Sequence, residues 1–338
     1  MAVALPASFA LGQKGAQTAK KVAPTHLRAV PACAAYHEQA KTQPATSMAH
    51  ALETVEECET LSAHPLLTFN KGKYSYRIER RGNQSIYFVS DGVQTLAMPI
   101  RWAMGASSAI GQTFILENEG EFYESRVSYF SEPRGLDVTL GQEGVPVNIL
   151  EAAGRRLRRD DRLRCLGCHA TNATQGQQLT LDKLTPGVQC ERCHGSPEKH
   201  LARMTKGDSE PAMMKDLSKL STEQISDFCG QCHRTWEDVA ERGKLDITDI
   251  RFQPYRLIGS KCYDADDPRV SCLACHDRTT NRTESGSITT PSDGPAMAAA
   301  SREPGSAKWR RTTAPYATCP KSSYPERTTS FQTIGFGS

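Results

Sequence analysis

Twelve cysteines and nine histidines stand in this chain of 338 residues, and eight of the cysteines fall into four copies of one frame. The copies are Cys165-Leu-Gly-Cys168-His169, Cys190-Glu-Arg-Cys193-His194, Cys229-Gly-Gln-Cys232-His233 and Cys272-Leu-Ala-Cys275-His276. C-x-x-C-H is the attachment signature of c-type haem. Two thiols about one helical turn apart can reach the two vinyl groups on one porphyrin edge, and the next residue then sets its imidazole beneath the iron. Zinc ribbons also pair C-x-x-C units but need no histidine directly after each second cysteine. Redox C-x-x-C motifs usually occur once, in a βαβ setting. Four repeats with histidine every time therefore point to haem as thioether, with His169, His194, His233 and His276 as proximal iron ligands.

A second ligand for each iron would come from the remaining histidines. His37 ends Cys33-Ala-Ala-Tyr36-His37, a frame whose second cysteine is replaced by tyrosine. That frame reads two ways: a haem held through Cys33 alone with His37 proximal, or a lost site. The missing thiol favours loss or partial function, so the expected cofactor is four haems c, or five if Cys33 still holds one. His200, His50, His64 and His26 are the candidate distal ligands, and four of them match four irons in a bis-histidine scheme. His200 ranks first, six residues after His194 on a Gly-Ser-Pro turn. His50 follows, in a short helical stretch, with His64 before Pro65 weaker and His26 weakest. Met204, Met213 and Met214 could ligate iron but more often pack. Cys58 and Cys262 lie outside any frame and could pair in an oxidising compartment.

The elements that must position these residues can be read from periodicity. Residues 165 to 276 span 112 residues, 28 for each of the four frames, too little for separate apolar pockets, so the haems are expected to form much of the core. Residues 148–170 read as a helix leading into the first frame, with Arg155, Arg156, Arg158, Arg159, Arg162 and Arg164 able to meet haem propionates or simply face solvent. Ser221-Thr-Glu-Gln224 is a capping box opening the helix to His233. Tyr74, Tyr76 and Ile78 alternate before a turn at Arg81-Gly-Asn-Gln84, and Phe114-Ile-Leu and Phe122 to Tyr129 flank a turn at Asn118-Glu-Gly120. The expected fold is α+β and mainly helical: a haem-cored cytochrome domain, a small antiparallel β module and a disordered C-terminal tail. The expected division is 1–28 leader and linker, 29–65 an N-terminal segment with the degenerate frame, 66–147 the β module, 148–277 the four-haem domain and 278–338 a low-complexity tail.

Composition narrows the partners. Lys and Arg total 41 against 38 Asp and Glu, a net charge of +3, too balanced for nucleic acid as the main partner. No apolar run reaches the roughly 18 residues of a membrane span. Residues 1–12 are small and apolar, with Ala10 and Gly12 suited to a signal-peptidase site. Haem attachment itself implies export to the periplasm or cell exterior and a passage through haem-attachment machinery.

Residues 29–277 resemble bacterial multihaem c-type cytochromes related to the tetrahaem electron carriers of nitrifiers. The stretches carrying the resemblance are Cys33-Ala-Ala-Tyr-His, Thr46-Ser-Met-Ala-His50, Tyr123-Glu-Ser-Arg-Val-Ser-Tyr129, Cys190-Glu-Arg-Cys-His-Gly195 with His200, Cys229-Gly-Gln-Cys-His-Arg-Thr-Trp236 and Cys272-Leu-Ala-Cys-His-Asp277. The resemblance implies an exported electron-transfer protein with donor and acceptor proteins as partners, and a Cys33 frame descended from a true haem site with Tyr36 as the departure. It also implies a further frame after Asp277. Here Arg278-Thr279 follow instead, and a one-nucleotide shift lets Thr313 to Lys321 encode that frame, so the tail reads as out-of-frame and Cys319 as a chance residue. The alternative function is a haem oxidoreductase whose open iron acts on a small nitrogen or sulfur compound. No C-x-x-C-Lys motif supports it, so an electron carrier is expected rather than a catalyst.

Overall fold

Period-two alternation, not helical periodicity, organises most of the ordered chain. The computed structural model describes residues 33–34, 37–106, 111–132, 134–206, 214–241, 253–258, 263 and 271–275. Within it, α1 (Gln39–Thr42), β1 (Leu52–Thr54) and α2 (Glu59–Ala63) lead into an antiparallel meander of β2 (Leu66–Lys71), β3 (Tyr74–Arg81), β4 (Gln84–Ser90), β5 (Thr95–Met104), β6 (Gly111–Asn118), β7 (Glu121–Phe130) and β8 (Gly135–Val138). Each strand pairs with the next. β1 adds to β5, and β9 (Gly154–Arg156) adds to β7, which gives a nine-stranded sheet. Strands β2 and β8 at the two ends approach one another, so the sheet curls into a nearly closed barrel. Register shifts in β5 between Ile100 and Trp102, and in β6 between Thr113 and Ile115, are bulges of the kind that bend strands.

The pattern of side chains explains the curl. Tyr74, Tyr76, Ile78, Tyr87, Val89, Met98, Phe114, Leu116 and Val127 point to one face and form the main core. In β6 the continuous run Phe114-Ile115-Leu116 is buried on both sides: Phe114 and Leu116 join that core, while Ile115 faces outward into a second cluster. A strand covered on both faces reads as unbroken apolar sequence. The β6–β7 turn is tight, with Glu119 at φ 52° and Gly120 at φ 80°, the paired left-handed conformation of a two-residue hairpin.

The expectation of a mainly helical fold is overturned. The helices of the frames are short, because each has only to carry two thiols and an imidazole through one to three turns, and the sheet holds the larger core. Nor is 148–170 one helix. It divides into α3 (Ile149–Ala153), β9, and α4 (Arg159–His169). Gly154 makes the break: its φ is 156°, and a Cβ there would lie 2.1 Å from the Glu124 carbonyl oxygen, so the chain can close onto β7 only without a side chain. The remaining helices are α5 (Cys190–His194), α6 (Glu198–Met204), α7 (Thr222–His233), α8 (Trp236–Glu241), α9 (Gln253–Ile258) and α10 (Cys272–Cys275). The Ser221–Gln224 capping box is formed, with Ser221 Oγ accepting from Gln224 N and Gln224 Oε1 from Ser221 N.

Candidate haem-binding site

The second core cluster joins sheet to site. Trp102, Ile115 and Phe122, on the outer face of the sheet, pack against Leu157 and against Leu166, which follows the first cysteine of the first frame. Burying Leu166 is worth about 2 kcal/mol by area removed from water. It seats α4 with its frame on the barrel wall. Cys165 then borders a small cavity beside Trp102, Phe122 and Arg162.

The four frames lie in one connected group. Arg192, between the two cysteines of the second frame, donates to the Gly167 carbonyl of the first at 3.1 and 3.3 Å and approaches the Cys232 sulfur of the third at 3.9 Å. Cys168 donates to the Gln231 carbonyl at 3.6 Å and lies against Cys232. Cys272 of the fourth frame lies against Cys229 of the third. An open cleft of about 250 Å³ runs along Cys168 between α4 and α7, lined also by Arg164, Arg192, Gln231 and Arg234. Thiol and guanidinium groups together are the lining that a porphyrin edge and its carboxylates require.

The imidazoles that end the frames are oriented where the structure describes them. His169 presents Nδ1 to the Ala51 carbonyl at 2.9 Å, and His194 presents Nδ1 to the Lys215 carbonyl at 2.9 Å. A carbonyl can only accept, so Nδ1 carries the proton and Nε2 keeps its lone pair, as an iron ligand must. Burial also holds the His169 pKa below the usual value, which keeps that ring neutral. His233 is exposed at the end of α7, and His276 lies outside the described residues.

Thiol acidities diverge across the group. Burial pushes Cys165 up to about 11, and burial with Glu191 beside it does the same to Cys190. Cys232 is drawn below the ordinary thiol range, first by its contact with Cys168 and then, against its burial, by Arg192. Cys272 also falls to about 6, chiefly through Cys229. The Cys168 thiol is raised by its bond to Cys232 and by burial.

The candidate distal histidines are placed differently from one another. His200, on α6, meets the ring of His37, with centroids 6.2 Å apart and planes at 30°. His50 presents Nδ1 to buried Glu53 at 2.9 Å, the carboxylate–imidazole pairing that commonly orients a metal ligand. His64 is turned to the barrel instead: its Nε2 meets the Tyr129 hydroxyl at 3.0 Å. His26 lies outside the described residues, as do Met213, Cys262, the leader and the whole tail from 276 on. Met204 closes α6 and Met214 is half-buried. Cys58 is fully buried and donates to Gln112 Oε1 at 3.2 Å.

Most of the arginines ahead of the first frame already have protein partners. Arg155 pairs with Glu124 and Asp161, Arg156 with Glu121, and Arg164 with Asp161. Arg159 donates to the Gln177 carbonyl. Arg162 differs: its guanidinium stands 5.9 Å from the Phe122 ring centre, and its buried Nε has no partner. An orphaned cationic donor beside Cys165 fits a haem propionate. Arg192 and Glu53 escaped sequence reasoning, because nothing in the spacing marks either one.

Residues 148–195, which hold the first two frames, match the model of the cytochrome c554 and c-prime family. The match supports a c-type cytochrome with haem c as its cofactor. The outer cell wall cytochrome OcwA has a distantly similar structure, at 14% identity and a TM-score of 0.33, with 60% of this chain and 36% of that one covered. The chain thus aligns with about a third of that cytochrome's length. No curated protein sequence matches. Among the described residues no helix is long and apolar enough to cross a membrane.

Proposed function

We propose that the chain is an exported electron-transfer cytochrome with a haem c in each intact frame, exchanging electrons with a donor and an acceptor protein. The observation that carries this reading is the pair of main-chain carbonyls, at Ala51 and Lys215, that fix His169 and His194 with Nε2 free. Haem c supplies reversible one-electron exchange between ferric and ferrous iron. The chain's own residues attach, orient and neutralise. Cys165 with Cys168, Cys190 with Cys193, Cys229 with Cys232 and Cys272 with Cys275 hold the porphyrin edges, and His169, His194, His233 and His276 hold the iron. Arg162 and the Arg164–Arg192–Arg234 cleft balance propionate charge. Because Cys168 lies against Cys232 and Cys272 against Cys229, cofactors in these frames would be neighbours, as electron transfer along the chain needs. Export follows from the chemistry, since c-type attachment is normally completed outside the cytoplasm.

Expression in a host with haem-attachment machinery tests this. The purified protein should be red, give a c-type pyridine haemochrome, carry at least four haem masses and take up electrons reversibly in a potentiometric titration. Colourless protein would refute the reading. A high-spin ferric fraction that binds nitric oxide or hydroxylamine would instead support an open-iron enzyme.

A further inference from the structure

His194 and Lys215 are joined twice. The Lys215 amide donates to the His194 carbonyl at 3.0 Å, and His194 Nδ1 donates to the Lys215 carbonyl at 2.9 Å. The two residues, 21 positions apart in the chain, thus close a small ring of hydrogen bonds. His169 is held differently. Its partner, the Ala51 carbonyl, also accepts from the Gly105 amide at the end of β5, and the ring itself is buried. Lys215 belongs to no strand: it is exposed in the link between α6 and α7.

What steadies Lys215 is its own side chain. Its ammonium stands 4.3 Å from the centre of the Phe228 ring. Phe228 is half-buried on α7, directly before Cys229, the first thiol of the third frame. Beyond Lys215 the chain is held by buried Leu217 and by Asp216 Oδ1, which accepts from the Ser218 amide at 3.0 Å. Side chain and carbonyl leave the same Cα, so an ammonium seated on the ring limits how far that carbonyl can tilt. A carbonyl that tilts away loses His194 Nδ1, because a hydrogen bond weakens steeply as it bends. A cation–π contact at an exposed site shifts a balance of this kind about threefold.

We propose that Lys215 is a positioning residue for His194. Its side chain, seated on Phe228, holds the carbonyl that fixes the imidazole of the second frame. The helix of the third frame thereby sets the orientation of the iron ligand in the second. This deepens the reading of the frames as haem sites and rests on it, and the test separates the two.

The full chain is matured in a host with haem-attachment machinery. Solvent exchange of the histidine ring N–H protons is followed by proton NMR in the ferric state, where low-spin iron moves them clear of other signals. Lys215→Met should speed one ring proton about threefold and leave the others unchanged. Phe228→Leu, which removes no charge, should do the same to the same proton. The double variant should stay near threefold instead of reaching about ninefold, because both substitutions break one contact. Lys215→Arg keeps a cation over the ring and should restore slow exchange. Lys219→Met, which removes an exposed lysine of the same link paired with Asp216, should leave every rate as it was. If Phe228→Leu takes up no haem, Lys215→Met and Lys215→Arg decide the matter. An unchanged rate in Lys215→Met, a multiplied effect in the double variant, or equal acceleration at every histidine would overturn the proposal and leave the haem frames standing. Colourless protein would end the reading of the frames, and the proposal with it.

Discussion

Replacing Gln112 with leucine disturbs a buried polar network at its centre. Gln112 is 1% exposed, and its Nε2 donates to Glu53 Oε2 at 2.7 Å and to the Gly105 carbonyl at 2.6 Å. Its Oε1 accepts from Cys58 Sγ, a thiol that burial pushes up to about 12. The other oxygen of Glu53 meets His50. Leucine matches the size but offers no polar atom, so it strands one carboxylate oxygen, one main-chain carbonyl and a thiol. Each buried group left unsatisfied costs about 1–3 kcal/mol, with charged groups at the upper end. The total is about 3 kcal/mol once a cheap thiol and some relaxation are allowed for. Equilibrium urea unfolding followed by far-ultraviolet circular dichroism should show a midpoint lower by about 1–2 M with the slope unchanged. The double variant Glu53→Leu/Gln112→Leu should cost at least about 1 kcal/mol less than the sum of the two single variants, because removing both partners leaves no buried charge unpaired. A cost below about 1 kcal/mol for Gln112→Leu, or additivity within about 0.5 kcal/mol, would refute the reasoning.

Two further perturbations reach the frames themselves. Gly187→Ala places a Cβ 1.7 Å from the Ala49 carbonyl oxygen at φ +74°, so the pairing of Val188 N with Met48 O ahead of the second frame should fail. Soluble haem-loaded yield should drop severalfold relative to the unsubstituted chain, whereas Gly144→Ala, with open space around it and no positive φ, should leave the yield near normal. In haem-free protein at pH 7, iodoacetamide should modify Cys232 and Cys272, with pKa values of about 6, before Cys165 and Cys190, at about 11. The more acidic pair carries the larger thiolate fraction, and the weaker nucleophilicity of acidic thiols returns only part of that advantage, so the order of labelling is the readout. Lowering the pH to 5 protonates the acidic pair and should slow their labelling about tenfold; equal rates at all four positions by quenched mass spectrometry would contradict the thiol pairing.

What the sequence revealed, and what it hid, follows from the range of the forces involved. The frames are legible because two thiols and an imidazole recur at one fixed local spacing, and local spacing is what a sequence displays. Tyr74, Tyr76 and Ile78 announce a strand for the same reason. The helix expected over 148–170 was misread because its interruption is tertiary: Arg155 and Arg156 have ordinary helical propensity, and only the docking of Gly154 against Glu124 draws them into a strand. β1 escaped because three residues, Leu52 to Thr54, carry too little alternation to be seen before Met104, Ala103 and Trp102 pair with them. The sequence therefore shows only a small module where the structure has a nine-stranded, nearly closed sheet. His64 ranks below His50 in sequence, but the partner that turns it to the barrel, Tyr129, lies 65 residues away where no local pattern shows it.

The sheet does for the first frame what the 28 residues available to each frame could not do. Ala51, just before β1, offers its carbonyl to two donors: the Gly105 amide at 2.8 Å and His169 Nδ1 at 2.9 Å. Gly105 follows β5, the strand that pairs with β1, so the imidazole of the first frame is referenced to the barrel through a doubly used carbonyl. Leu166 fixes the other side of the same helix against Trp102 and Phe122. Two contacts on opposite ends of a frame leave the His169 Nε2 little freedom to turn. The second frame is tied to the first through Arg192, and the third through Cys168 and Cys232. Orientation is therefore handed from a rigid sheet to one frame and from that frame to its neighbours. The barrel accordingly bears on the order in the frames that follow.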